Sequence, residues 1–514
     1  MAIKRYWALK DNTITNAYES NLTYRATGSN MGGSDVLEVF SIYQQAFTSS
    51  VKQDEFSRIL IQFPVTGTNL INDVVSIKQD RTLGNIASSG SVSFYLKMYN
   101  ARHSLTTPRD FGLVVAALNT DWQEGHGLDM DNYSDILYGD SAGSNWISAS
   151  LGNKWSSAGG DWDNDDSSGV TASFDTGIED MEVDITPIVE KWIAGAKNNY
   201  GMVIKLAPEH EDAETSYYTK KFFGRNSEFF YKRPVIEARW DSATRDDRNN
   251  FYYSSSVAAA ADNLNTLYYY NFVRGKLRSI PLDADAEVVV SLYTNSPDET
   301  PSAGDGKIAL SAGGGVSSAG DVNATASTST TGIYTVSLSL TGSVTDHSKL
   351  YDVWQIRTKT MQGEEGYTQF FTGSIKPKSD TGAVWNRNLA YVTTVPNLKN
   401  TYRRTDTDRL RLYTRQKDWS PTIYTKASNT IERSIIESGS YRVTRNIDKL
   451  EVIPFGTGSD MHTQMSYDVS GNYFDLDFSM LQAGYSYTVD FSFYDDSIGD
   501  WIVQPQKFKF RVDE

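Results

Sequence analysis

The chain has 514 residues, a formal net charge of −16 at pH 7 and no cysteine. The lack of cysteine excludes disulfide-stapled scaffolds, thiolate catalysis and cysteine-based zinc sites. The negative charge disfavours nucleic acid as a partner, because an acidic surface repels the phosphate backbone. The length predicts two to four domains, and hydrophobic residues, at 39% of the chain, are enough to bury their cores. Strand- and turn-forming residues prevail, so the predicted fold class is mostly β.

The first seven residues, Met-Ala-Ile-Lys-Arg-Tyr-Trp, include basic residues but no following apolar run of the kind found in secretion signals. No stretch of about 18 or more apolar residues predicts a transmembrane helix. We therefore expect a protein that is made in a cytoplasm, has no membrane partner, and stays soluble or leaves the cell by lysis or a leaderless route.

The first predicted strands lie at 57–63, 91–99 and 114–118. The segment 57–63 alternates, with Ile59, Ile61 and Phe63 on one side. This alternation predicts a strand of a sandwich with one face in the core and the other exposed.

Residues 119–169 are rich in Gly, Asp, Ser, Asn and Trp and form a connection too long for an ordinary turn. The tryptophans of this region are Trp122, Trp146, Trp155 and Trp162. Exposed indole faces stack on sugar C–H surfaces while nearby Asp and Asn bind hydroxyls, so one interpretation is a carbohydrate-binding site. The alternative is that these rings are buried and pin the long loops down, because large aromatic side chains are usually buried.

Asp161, Asp163 and Asp165 imitate the first ligands of an EF-hand loop, since Ca²⁺ prefers several hard oxygen ligands. The match then fails, because the sixth position is Asp166 rather than Gly and the twelfth is Ala172 rather than Glu. A solvated acidic loop is the main interpretation, and a weak structural calcium site is the alternative. No other cofactor is expected.

The stretch 184–201 predicts one helix in a sequence otherwise typical of strands. Thr186 is a suitable N-cap, Pro187 fits the first helical position, and Gly195 follows the last turn. One apolar face results, formed by Ile188, Val189, Trp192 and Ile193. We expect this helix to cap a core, with Trp192 beneath it. A ligand-stacking role for Trp192 is the alternative.

The sequences "DITPIVEKWIAGAKNNYGMVIKL" and "YYTKKFFGRNSEFFYKRPVIEARW" follow "KDNTITNAY", "SRILIQF" and "DWQEGHG" along the chain. In this order they resemble a DNRLRE-type domain over about residues 8–240, although the hexapeptide of that family's name is absent. The resemblance implies a jelly-roll-like β-sandwich, a module of secreted polysaccharide-binding proteins and of phage structural proteins. It also favours the carbohydrate interpretation of the loop tryptophans.

A charged segment, 241–250, predicts an interdomain linker. Regularly spaced strands on its C-terminal side predict two small immunoglobulin-like β-sandwiches. The predicted domains are therefore 1–245, 251–378 and 385–514.

The sequence predicts no enzyme. It contains no HExxH motif, no Gly-x-Ser-x-Gly elbow before a helix and no phosphate-binding GxxxxGK[ST] loop. Abundant carboxylates leave glycoside cleavage as a minor alternative.

Segments 388–424 and 465–491, which include "NLAYVTTVPNLKNTYRR" and "MSYDVSGNYFDLDFSM", resemble C-terminal regions of structural proteins from contractile-tailed marine phages. The leading hypothesis is a bacteriophage virion structural protein of the tail, neck or baseplate–fibre region. It would act as an assembly scaffold or adaptor, with other virion proteins and symmetric copies of itself as partners. The alternative is a receptor-recognition protein that binds host cell-surface polysaccharide.

Overall fold

The computed structural model describes residues 2–44, 54–67, 75–103, 107–133, 143–163, 169–294, 306–311, 321–343, 346–359, 365–378, 390–417, 423 and 433–514. Its regular structure is mostly β, as the composition predicts. The chain forms two compact units. The first unit comprises Ala2–Asp241 and Asp460–His462, and the second comprises Ser242–Ser459 and Thr463–Glu514.

The first unit is a β-sandwich. Its strands are β1 (Ile3–Trp7), β2 (Lys10–Thr15), β3 (Val36–Ile42), β4 (Glu55–Gln62), β5 (Ser93–Met98), β6 (Phe111–Ala117), β7 (Ser148–Ser150), β8 (Asn153–Lys154), β9 (Val170–Phe174), β10 (Met181–Asp184), β11 (Met202–Leu206), β12 (Tyr217–Phe223) and β13 (Val235–Arg239). One sheet has the order β1-β13-β5-β10. The other has the order β12-β3-β4-β11-β6-β9, with β2 also paired to β4, and β7 pairs with β8. Apolar side chains from both sheets form one core.

The pairing of β1 with β13 joins distant parts of the sequence. Ile3 lies opposite Arg239 and Trp7 opposite Val235 in an antiparallel ladder. Because β13 is also the neighbour of β5, this pairing completes one side of the four-stranded sheet.

Strand β4 is buried on both faces, which differs from the half-buried strand that its alternation predicts. Ile59 and Ile61 belong to the main core as expected. Leu60 points to the opposite face and is also fully buried. The difference arises because loop residues far along the sequence cover this outer face.

The helix expected in 184–201 is present. The described residues form the helices α1 (Ile77–Thr82), α2 (Thr186–Ile193) and α3 (Pro208–Glu211), and short 3₁₀ turns lie at Phe230–Lys232, Asp247–Asn249 and Phe478–Met480. Helix α2 buries Ile188, Val189 and Trp192 in the core of the first unit. Gly195 follows it at a φ of +76°, a left-handed conformation that suits glycine.

Thr186 is not the N-cap that the sequence predicts. The N-cap position is Ile185, which has no side-chain cap hydrogen bond. The Thr186 hydroxyl instead accepts a hydrogen bond from the Phe94 backbone N–H at 2.8 Å. The helix start is therefore fixed to the neighbouring sheet through this hydroxyl.

The second unit contains two separate cores. The strands around the first core are β14 (Asn265–Tyr270), β15 (Phe272–Val273), β16 (Lys276–Leu277), β17 (Ala286–Tyr293), β18 (Ala324–Thr325), β19 (Ser327–Thr330), β20 (Ile333–Leu338), β21 (Tyr351–Lys359) and β22 (Glu365–Thr372). They form sheets of order β14-β20-β19 and β18-β17-β21-β22, and β15 pairs with β16. Leu267, Val290, Tyr334 and Trp354 lie in this core.

The strands around the second core are β23 (Tyr391–Thr394), β24 (Thr401–Arg403), β25 (Thr407–Gln416), β26 (Gly439–Arg445), β27 (Glu451–Ile453), β28 (Ser466–Asp468), β29 (Gly471–Asp477), β30 (Ser486–Asp495), β31 (Asp500–Val503) and β32 (Phe508–Asp513). The sheets have the orders β23-β25-β29-β28 and β24-β32-β30-β26-β27, and β31 pairs with β30. Tyr402, Leu412, Phe474 and Phe491 lie between them.

The charged segment predicted to be a linker is packed into the second unit from residue 242 onward. Arg248 donates hydrogen bonds to Asp352 at 2.7 Å and to Asp246 at 2.8 Å, and both carboxylates are buried. Burial raises the pKa of Asp246 to about 6, although Arg248 opposes this shift. The charges pair with one another, so this segment is structured rather than a solvated connection.

Candidate functional site

The structure brings the four predicted tryptophans together on the outer face of the larger sheet of the first unit. We call Trp122, Trp146, Trp155 and Trp162 the tryptophan cluster. It packs on Leu60, Val203 and other apolar side chains of β2, β4, β6 and β11. Trp122, Trp146 and Trp155 are only 2%, 7% and 5% exposed, and Trp162 is partly buried. The cluster is therefore a second, smaller core beneath the long loops.

Two indole N–H groups of the cluster donate hydrogen bonds inside the protein. Trp122 Nε1 donates to the Tyr200 carbonyl at 2.9 Å, and Trp155 Nε1 donates to the Asn145 carbonyl at 2.8 Å. A sugar stacks on an exposed ring face, and three of the four rings offer none in this structure. Their burial is the arrangement expected of loop anchors.

A buried charge cluster lies against these rings. The Arg58 guanidinium lies 4.8 Å from the Trp146 ring centroid and 4.6 Å from that of Trp162. It donates to Glu211 at 2.9 Å, and Lys205 donates to the other oxygen of Glu211 at 2.8 Å. Burial alone would raise the pKa of Glu211, but the two cations outweigh it and lower this pKa. The group is fully paired and ties the loops to the sheet.

The side chain of Asn30 joins loop segments at a second point. The sequence analysis did not identify this residue. Its amide donates to the carbonyls of Glu124 and Ser144 at 2.7 and 2.9 Å, and its oxygen accepts from the Gly127 N–H at 2.9 Å. A Cβ atom at Gly127 would lie 1.8 Å from the Asn30 carbonyl oxygen. The frequent glycines of the region were the sequence feature that could have indicated this junction, because backbone segments that approach so closely require residues without a side chain.

Two of the three predicted calcium ligands take part in contacts within the protein. The Asp161 carboxylate accepts hydrogen bonds from the Ser156 and Ser157 backbone N–H groups at 2.8 and 2.9 Å. Burial alone would raise the pKa of Asp161, but these bonds outweigh it and lower the pKa. Asp163 forms an ion pair with Lys197. Asp165 lies outside the described residues.

Within the described ranges, no group of three or more His, Asp or Glu side chains is placed so that it could hold a metal ion. A carboxyl group of unusual pKa occurs at Asp11, where burial raises the pKa to about 7. Asp11 is 1% exposed and accepts a hydrogen bond from the Arg225 backbone N–H. A substrate has no access to it, so it is not a candidate acid or base for catalysis.

An open polar cavity of about 640 Å³ lies in the second unit. It is lined by Arg245, Asp247, Asn250, Tyr252, Asp262 and Glu437, among others. The Asp247 carboxylate accepts hydrogen bonds from the Tyr467 hydroxyl at 2.8 Å and the Thr266 N–H at 2.6 Å. Tyrosine rings, carboxylates and a guanidinium thus share one concave surface, which is a chemistry suited to a polar ligand.

No helix in the described part of the chain combines the length and the apolar character needed to cross a bilayer.

No family model matches this sequence, and no curated protein matches it. Among solved structures, it is similar to a chimeric titin Z1Z2 functionalized with a KLER exogenous peptide from decorin, at 9% identity over 48% of this chain and 97% of that chain, with a TM-score of 0.14. A DUF4785 family protein from Legionella pneumophila is 7% identical over 83% of both chains, with a TM-score of 0.14. The native E. coli alpha-2-macroglobulin is 8% identical over 98% of this chain and 28% of that chain, with a TM-score of 0.15. Scores this low support no inference about this chain.

Proposed function

We propose that this chain is a bacteriophage virion structural protein of the tail, neck or baseplate–fibre region, acting as an assembly scaffold or adaptor. We infer that its first unit is a jelly-roll-like sandwich and that its second unit consists of two immunoglobulin-like sandwiches. The observation that carries the proposal is that the described parts of the loops in 119–169 are fixed by a buried core of their own. Rigid loops present a defined surface to neighbouring proteins in an assembly.

The use of charged groups in the first unit also supports a structural role. Glu237 is fully buried, and Arg5 and Arg239 form ion pairs with it at 2.8 and 2.6 Å. Burial alone would raise the pKa of Glu237, but the neighbouring cations outweigh it and keep this pKa far below its usual range. A catalytic carboxylate must be reachable and adjustable in charge, whereas this one joins strands.

The proposal is tested on particles purified by density gradient from a lysate in which the chain is made. We expect quantitative mass spectrometry to find the chain at a constant ratio to the other particle proteins. Immunogold electron microscopy should place it at one position along the tail axis. A chain that stays in the soluble fraction and is absent from particles would overturn the proposal.

A second candidate function is recognition of cell-surface polysaccharide through the cavity of the second unit. The observation that favours it is the set of tyrosine, carboxylate and guanidinium groups around that cavity. Buried tryptophans make the loops 119–163 a weaker candidate, although Trp162 keeps part of its surface.

A glycan array and a whole-cell binding assay with the full chain test this second function. Loss of binding in Glu437→Gln, with binding kept in the control Glu451→Gln at an exposed position, would assign the glycan to the cavity. Loss in a folded Trp162→Ala variant would assign it to the loops. No binding by the folded wild-type chain would remove this candidate.

A further inference from the structure

A short hairpin projects from the second unit at 271–278, and we call it the basic hairpin. Among the described strands, β15 and β16 pair only with each other. Asn271 fixes the hairpin base, because its N–H donates to the Gly332 carbonyl at 2.8 Å and its amide donates to the Arg278 carbonyl at 2.7 Å. An isolated two-stranded hairpin is marginally stable in water, so this one is positioned at its base and otherwise unsupported.

The basic hairpin exposes apolar and cationic side chains together. Phe272 and Val273 are 61% and 48% exposed. The cations Arg274, Lys276 and Arg278 are exposed, and none forms an ion pair with a described carboxylate.

Arg274 lies in the turn of the basic hairpin, at a position whose backbone conformation disfavours arginine. Arg274 and Gly275 both have positive φ, at +53° and +74°. Non-glycine residues adopt this region at a cost of roughly 1–2 kcal/mol, and Asn or Gly fits such a turn better. The arginine side chain thus occupies a position that the turn alone does not favour.

A second hairpin, at 494–503, carries the opposite charge, and we call it the acidic hairpin. It joins β30 to β31. Its exposed apolar side chains are Tyr494, Ile498, Ile502 and Val503. It exposes hydrophobic surface beside charge, as the basic hairpin does.

The acidic hairpin places like charges opposite each other. Asp495 and Asp500 are direct cross-strand partners, and Asp496 is exposed between them in the chain. Like charges in this register are destabilising. No described cation forms an ion pair with any of the three aspartates. A cation supplied from outside would relieve this repulsion.

We propose that the basic hairpin of one copy of this chain docks on the acidic hairpin of a neighbouring copy. Three cations with no ion-pair partner among the described residues are complementary to three carboxylates that have no described cation beside them. Asp495 and Asp500 accept hydrogen bonds within their own hairpin, which leave their charge uncompensated. Each set lies beside exposed apolar side chains. Because the two surfaces differ, the contact is head-to-tail, and repetition of it closes a ring or builds a stack. Each copy uses both hairpins, so in a closed ring every copy is held by two contacts and loss of one leaves the other in place.

This inference deepens the proposed function by naming how copies meet, and it rests on that function for its biological setting. It is tested with the full chain by mass photometry and sedimentation velocity. The variants are Arg274→Glu/Lys276→Glu on the basic hairpin and Asp496→Lys/Asp500→Lys on the acidic hairpin. Matched controls at exposed sites of the first unit are Lys78→Glu/Lys154→Glu and Asp175→Lys/Glu209→Lys.

We expect the wild-type chain to form oligomers that dissociate as salt rises from roughly 0.05 M to roughly 0.5 M, because screening weakens exposed charge pairs. Each hairpin variant alone should associate at least about tenfold more weakly, since like charges then face each other. Both control variants should behave as wild type.

The decisive arm is an equimolar mixture of the two hairpin variants, which should regain mixed oligomers because reversed hairpins complement each other. A monomeric wild-type chain, undiminished association of either variant, or a mixture that stays dissociated would overturn the inference. Presence of the chain in purified particles is an independent measurement. If the hairpin contact fails, presence of the chain in particles still supports the proposed function. If the chain is absent from particles, the hairpin contact can still be present in the purified chain.

Discussion

Arg58 and Glu211 form a buried ion pair, with Arg58 Nε 2.9 Å from a Glu211 carboxylate oxygen. The same guanidinium donates from Nη1 to the Gly159 carbonyl at 2.9 Å. Strand β4 therefore holds, through one side chain, both the segment after β11 and the loop that carries the tryptophan cluster.

Replacing Arg58 by methionine should destabilise the first unit by about 3–5 kcal/mol, because a buried carboxylate loses a partner. Lys205 still pairs with Glu211 in the variant. The carboxylate therefore keeps one of its two cations, and the loss of stability does not exceed this range. Calorimetry of the full chain measures it as a lowered melting temperature. The exposed control Arg102→Met should change little, and equal effects of the two variants would contradict the prediction.

Replacing Trp155 by alanine should cost about 3–5 kcal/mol, because it leaves a cavity in the small core and removes the hydrogen bond from the indole N–H to the Asn145 carbonyl. The matched control is Leu151→Ala in the same loop, where the side chain is 48% exposed. Urea denaturation compares the two. A Trp155→Ala variant as stable as the control would show that the ring does not anchor the loops.

Replacing Asp161 by alanine should cost about 1–2 kcal/mol through loss of the hydrogen bonds from Ser156 and Ser157. We expect the same loss of melting temperature in calcium and in EDTA, because the carboxylate stabilises the loop directly. A loss seen only when calcium is present would instead support a metal site at this position.

The titration of Lys220 should change the stability of the first unit at alkaline pH. Its Nζ donates to Asn100 Oδ1 and the Glu179 carbonyl at 2.7 Å each, and burial lowers its pKa from 10.5 to about 8. Between these two pKa values the unfolded chain keeps a proton that the folded chain has released. Stability from this group is therefore reduced below pH 8 and rises as pH increases from 8 to 10.5.

The variant Lys220→Met removes this titration. The unfolding free energy of the wild type minus that of the variant should rise by up to about 3 kcal/mol from pH 7 to pH 10. Thermal unfolding at a series of pH values measures it, and a difference that stays constant with pH would refute the assignment.

Local patterns predicted the elements that depend on near neighbours. Helix α2 and its buried residues follow from apolar spacing, and Gly195 follows from the conformation that a helix end requires. The role of Thr186 did not, because its hydroxyl accepts from Phe94, a residue on another strand. From the sequence alone, a threonine that caps a helix cannot be distinguished from a threonine that bonds the helix to a neighbouring sheet.

The candidate site depended on contacts that no local pattern records. The tryptophans were identified, but whether their faces are exposed depends on their packing against Leu60 and Val203, which are distant in sequence. The charge of segment 241–250 predicts a linker, because Asp352, the buried partner of Arg248, lies about a hundred residues further on and leaves no local signal. Such pairings are decided by topology, and charge alone does not reveal them.

The pairing of β5 with β13 cannot form until β13 has been synthesised. Translation at roughly 5–20 residues per second needs on the order of ten seconds to pass from the end of β5 to β13. Throughout that interval β5 lacks the strand that later pairs with it between Val235 and Arg239. The nascent chains on one polysome therefore all expose an unpaired, apolar strand edge. We expect a high yield of folded protein to require chaperones that shield such edges.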